Sequence, residues 1–194
     1  MPNIFLILSS IIGLLTPIIG IRSILKGEFK PQRTTRFILL ILTSIFVASL
    51  YAQGDKSSIY LALLQWGGGV AIFVLSLKYG VGGKDKLDFV VLGLAILAVV
   101  IWKVTDNPTL ALYMSLLADF IGILPTLIKS YKSPETEDPK FYFSDVLAGL
   151  FSILALKTFA FSELVFPAYI FFINLLCVVL ILLGRRSNLK NKNL

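Results

Sequence analysis

Few side chains in this 194-residue chain could do chemistry, and the most telling of them sit inside apolar runs. Asp119 lies near the middle of one such run, ADFIGILP. Burying an ionised aspartate at membrane depth costs roughly 2.5–3.5 kcal/mol on insertion scales, so such a residue usually faces a polar cavity. There it can bind a cation, move a proton or touch a substrate. The plainer role is a protonated side chain hydrogen-bonded to a Ser or Thr of a neighbouring helix. Every other acid reads as a loop or helix-end residue. Gln65 and Asn174 are amides in two further apolar runs, and Trp66 directly follows Gln65. An amide meets hydroxyls as donor and as acceptor, and an indole offers a flat face for stacking against a sugar or base. The competing role for the amides is to bridge helices.

The rest of the composition narrows the chemistry. There are no histidines and one cysteine, Cys177. Imidazole bases, imidazole ligands, a disulfide framework and a thiolate metal site are therefore excluded. Residues 80–84, GVGGK, lack the spacing of a phosphate-binding loop. The expectation is no enzyme, no cofactor and no metal. With 57% apolar and 15% charged residues, the chain falls in the membrane class. A net charge of +7 suits a protein with basic inner loops, so no nucleic-acid partner is expected.

A bilayer needs about 20 apolar residues per helix. Seven runs qualify, near residues 3–25, 34–52, 57–79, 87–103, 109–130, 141–159 and 164–183. Fifteen Lys and Arg residues fall on one side of these spans (the first connection, Lys78, Lys84 and Lys86, Lys129, Lys132 and Lys140, and the tail). Only Lys56, Lys103 and Lys157 fall on the other. Positive charge stays in the cytoplasm, which predicts an outer N-terminus, a cytoplasmic C-terminus and residence in the cell membrane. Lys103 and Lys157 are placed to snorkel to headgroups. A retinal-binding lysine has no counterpart at Asn174.

Two prolines lie inside these spans, and they repeat. A shift of 108 residues carries Pro17 onto Pro125 and Pro31 onto Pro139. Leu39, Leu42, Ser44 and Ile45 then fall on Leu147, Leu150, Ser152 and Ile153. The fold expected is all-α: seven transmembrane helices in a 3+1+3 parallel repeat of triple-helix bundles. One domain spans 1–184, with a first bundle over 1–80, a connector helix over 87–103 and a second bundle over 109–184. A basic tail follows at 185–194. Asp119 has Ile11 as its repeat partner, so any site is asymmetric.

This layout, with Pro17-Ile18 and Pro125-Thr126 in the first helix of each bundle, resembles the PQ-loop and SWEET transporters, in the manner of a bacterial branch. The proline of their signature is kept in both halves and the glutamine is replaced in both. Pro31-Gln32 lies in a loop. The resemblance covers most of the chain as architecture. It implies that Pro17 and Pro125 act as hinges, with a static kink as the alternative. It also implies that Gln65, Trp66 and Asn174 line a pocket. Gly67 to Gly69 read as a close-packing surface. Glu135, Glu137 and Asp138 are expected either to pair with Arg33 and Arg36 as an inner gate or to form a solvated loop.

Together these readings suggest a secondary transporter or facilitator for a neutral polar, sugar-like solute, working by alternating access. Proton coupling through Asp119 is an option. The alternative is a non-transporting sensor or assembly protein with a sealed core. Its partners are the solute and the lipid bilayer, with a homo-oligomer left open.

Overall fold

The computed structural model describes residues 3–81 and 86–192, and the side chains within them other than those of residues 87, 88 and 190–192. Most of the glycine-rich 80–84 stretch, Lys84, and the side chains of Lys190 and Lys192 lie outside this description. The chain is all-helical there. Its helices are α1 (Ile4–Leu25), α2 (Arg33–Ala52), α3 (Ser58–Tyr79), α4 (Lys86–Thr105), α5 (Pro108–Lys132), α6 (Pro139–Ala155) and α7 (Phe161–Lys192). A single 3-10 turn, Pro134–Thr136, joins α5 to α6.

Five of these helices, α1, α2, α3, α5 and α7, are long and apolar enough to cross a membrane. Several such helices in one chain are consistent with a multi-pass membrane protein. The apolar part of α4 is shorter, Phe89–Thr105. α6 has 17 residues, ending before the expected 159. In contrast, α7 runs for 32 residues and carries an internal proline, Pro167, that the repeat does not account for.

Local chemistry fixes where the helices start. Asn3 accepts the Phe5 N–H at 3.0 Å to begin α1. Asn107 before Pro108 starts α5, and Asp138 before Pro139 starts α6, accepting the Lys140 N–H at 3.0 Å. These pairs join a capping acceptor to a proline that needs no N–H partner. Between α2 and α3, one oxygen of Asp55 takes the N–H groups of Ser57, Ser58 and Ile59.

The packing forms a closed ring. α1 lies against α3, α3 against α2, α2 against α5, α5 against α7, α7 against α6, and α6 returns to α1. α4 stands outside, against α5 and α2. α2 buries large apolar residues such as Leu42 and Phe46, whereas α1 and α6 turn mostly small and polar residues inward. On α1 these are Ser9, Gly13, Thr16, Gly20 and Ser23, while Ile4, Ile7, Ile11, Leu14 and Ile18 are exposed. Lipid solvates the large side chains as well as the protein does, so the inward face of α1 goes mostly to residues that let backbones approach.

The α1–α6 seam shows this directly. Asn3 Nδ2 donates to the Ala155 carbonyl at 2.8 Å, Ser9 Oγ to Ala148 at 2.9 Å, and Thr16 Oγ1 to Ser144 Oγ at 2.9 Å. Ser9→Ala is expected to lower stability by about 0.5–1.5 kcal/mol, read as the thermal midpoint in detergent. Where α6 meets α7, a Cβ on Gly149 would stand 2.9 Å from the Phe171 nitrogen, so only glycine allows that approach.

Two buried clusters divide the ring along its axis. One gathers Phe46, Leu50, Leu61, Leu112 and Phe166 where α2 ends and α3, α5 and α7 begin. The other gathers Ile24, Phe29, Phe141, Tyr142 and Ile181 at the opposite end.

Candidate functional site

Between the clusters lies a cavity of about 140 Å³. All six ring helices line it, and among the described residues none from α4 does. Thr16 and Pro17 come from α1, Arg36 and Phe46 from α2, Gln65 and Gly68 from α3, Asp119 and Thr126 from α5, Tyr142 and Asp145 from α6, and Asn174 from α7. Of the residues singled out in the sequence, Pro17, Gln65, Asp119 and Asn174 are therefore together. Pro125 lies on a second cavity beside it, with Lys30, Lys129 and Glu137. Arg36 and Thr126 line both, so they form the partition.

Trp66 is not in this wall. It is exposed, and its indole N–H donates to Ser44 Oγ at 2.9 Å, tying α3 to α2. Successive residues of an α-helix point about 100° apart, so Gln65 facing the axis turns Trp66 away. The stacking role expected for the indole has no place here. The three glycines separate in the same way. A Cβ on Gly68 would stand 2.7 Å from Pro17 Cβ, whereas one on Gly67 meets nothing within 4 Å.

Each buried polar group has its own setting. Asp119 is buried and accepts the hydroxyl of Tyr169 on α7, so its partner is a tyrosine and not a Ser or Thr. Asn174 Nδ2 donates to the Ile170 carbonyl one turn back, at 2.8 Å, which fixes the amide at the wall.

Asp119 is not the lone buried acid. Asp145 on α6 is also buried and lines the cavity, where Thr16 and Gln65 are the polar side chains facing its carboxyl. Six residues after Pro139, it reads as a helix-end residue in the sequence. The helix nonetheless buries Phe141 and Tyr142 within its first turn, and Tyr142, Asp145, Gly149 and Ser152 form one inward stripe. That three-and-four spacing is the signal that identifies Asp145. Arg36, which charge counting assigns to a loop, brings a cation into the same cavity and holds its guanidinium 5.1 Å from the Phe29 ring centroid.

The acids between α5 and α6 pair differently from expectation. Glu137 is buried, 2.9 Å from Lys129 Nζ, and accepts the Tyr142 hydroxyl at 2.7 Å. Arg185 donates to its carbonyl oxygen at 3.3 Å. Arg33 instead donates to the Ser76 carbonyl at 3.1 Å. The 3-10 turn tucks Glu137 beneath α5, α6 and α7, where its ion pair among the described residues is with Lys129, although Arg36 lines the same second cavity. It forms a clasp within the second half, and neither a cross-half gate nor a solvated loop.

Among the described residues no cluster of three His, Cys, Asp or Glu side chains could hold a metal ion. Comparison with protein-family models, with curated proteins and with solved structures finds no match for the chain.

Proposed function

We propose that this protein is a small secondary transporter or facilitator that moves a small polar, sugar-like solute across the cell membrane by alternating access. The observation that carries the reading is the cavity to which all six ring helices contribute, with Gln65, Asp119 and Asn174 among the residues that line it. Polar and ionisable side chains at membrane depth mark solute pathways. A binding site at the junction of two helical units is where rocking would expose it to either side.

Two bundles, α1–α3 and α5–α7, with α4 as connector, supply the moving parts. Exchanging α1, α2 and α3 with α5, α6 and α7 leaves the order of neighbours around the ring unchanged, which supports the 3+1+3 repeat. In this reading all seven helices cross, and α6, about 26 Å long by its rise per residue, is the shortest fit to the bilayer. The basic connections lie in the cytoplasm. The apolar cluster around Phe46 and Phe166 then closes the outer side, and the second cavity lies on the cytoplasmic side of Arg36 and Thr126. Pro17 and Pro125 bend at the two levels between.

Uptake of a solute panel into proteoliposomes tests the proposal. For a transported solute, Asp119→Asn and Asn174→Ala are each expected to reduce uptake about tenfold, a loss near 1.4 kcal/mol. Uptake unchanged in both variants would remove the site assignment. Binding without uptake by any solute would favour a sensor on the same scaffold.

A further inference from the structure

The two carboxyl groups of the cavity are not equivalent. Asp119 accepts a hydroxyl from Tyr169. Asp145, 7% exposed, has Thr16 and Gln65 beside its carboxyl, yet its Oδ1 has no hydrogen-bond partner. Arg36 shares the cavity but makes no ion pair with either acid among the described residues. A half-partnered carboxyl in such a place is incomplete. Desolvated carboxylates need either a countercharge or further donors.

We propose that Asp145, with Thr16 and Gln65, is a recognition site for a protonated amine, so that the solute is a hydroxyl-bearing amine. This rests on the transport reading for the role of the cavity, and it names the solute class within it. An ammonium group carries three donors. The Asp145 carboxylate, the Gln65 carbonyl and the Thr16 oxygen are three acceptors from three helices that meet at this wall. A charge-assisted bond to a carboxylate is about twice as strong as a neutral one. A purely neutral polyol would leave Asp145 with no charge in direct contact, since Arg36, the cation in the same cavity, makes no ion pair with it. Asn174 and the Asp119–Tyr169 pair, on α5 and α7, remain to take hydroxyls.

The test uses the full-length protein in phosphate buffer free of Tris and other amines. Thermal stabilisation in detergent is measured with matched pairs, glucosamine against glucose and ethanolamine against ethylene glycol, followed by uptake of labelled glucosamine and glucose into proteoliposomes. The amine of a pair is expected to bind about tenfold more tightly than its partner. Asp145→Asn, nearly isosteric, should remove that preference, while Asp145→Glu and Asp119→Asn should keep it. Equal binding of amine and alcohol, a preference that survives Asp145→Asn, or no stabilisation by either amine overturns the proposal. Amine binding that depends on Asp145, without uptake, upholds it and overturns the transport reading. Uptake of glucose equal to glucosamine does the reverse.

Discussion

Gly68→Ala is expected to destabilise the protein by about 1–3 kcal/mol, while Gly67→Ala, one residue earlier, should stabilise it by up to about 1 kcal/mol. The two substitutions add the same methyl group to the same helix, and both gain helix propensity. They differ only in what the methyl meets. At Gly68 it would lie 2.7 Å from Pro17 Cβ and 3.1 Å from Pro17 Cγ, atoms of a rigid ring that cannot rotate aside. At Gly67 it meets nothing within 4 Å. The strain should also reach the cavity, since Gly68 and Pro17 both line it. Thermal unfolding of the purified variants decides the matter. Shifts of the same sign would show that α3 and α1 do not approach as closely as described.

That pair of residues also shows how far the sequence could be read. The GGG run was legible as a packing device and Pro17 as a hinge or a static kink, because glycine and proline have few other uses inside an apolar run. That they meet was not legible, since contact between α1 and α3 depends on rotation of both helices about their axes. The same limit separates Gln65 from Trp66. Their types suggested a shared pocket, but the helical step of about 100° per residue sends one inward and the other outward. Asp119 stood out because fully apolar flanks surround it. Asp145 did not, because the proximity of Pro139 and Lys140 made it look like a helix end. The inward stripe of α1, Ser9, Gly13, Thr16, Gly20 and Ser23, was visible in the letters once small residues, and not large apolar ones, are taken as the buried set.

The two seams that close the ring are built from different chemistry, and this bears on which of them can part. The α1–α6 seam carries three hydrogen bonds from Asn3, Ser9 and Thr16. The α2–α5 seam relies on the apolar cluster around Phe46 and Leu112, with α4 packed behind it and one bond from Thr109 to Gln53 at 3.0 Å. Apolar contacts can slide past one another, whereas a directed hydrogen bond to a backbone carbonyl is lost when the seam opens. A rocking motion about the cavity would meet less resistance along α2–α5.

Lys129→Met should be the most damaging single change at the opposite end, lowering stability by about 2–3 kcal/mol. Removing one partner of a buried ion pair typically costs 3–5 kcal/mol, because the other charge is left uncompensated. The side chain of Glu137 is 2% exposed and that of Lys129 is 35%, so water reaches one side of the pair and places the effect below that range. Glu137→Gln should cost less, about 1 kcal/mol, since its carbonyl oxygen still accepts the Tyr142 hydroxyl and Lys129 can turn to solvent. The double variant should then be more stable than Lys129→Met alone, because the buried charge has gone. A double-mutant cycle on thermal unfolding in detergent measures the coupling. Recovery in the double variant would establish Glu137 as a buried anion that Lys129 must neutralise, holding α5, α6 and α7 together at this end. No recovery would mean that Lys129 acts through the packing of its methylene chain, and the clasp would then be apolar in origin.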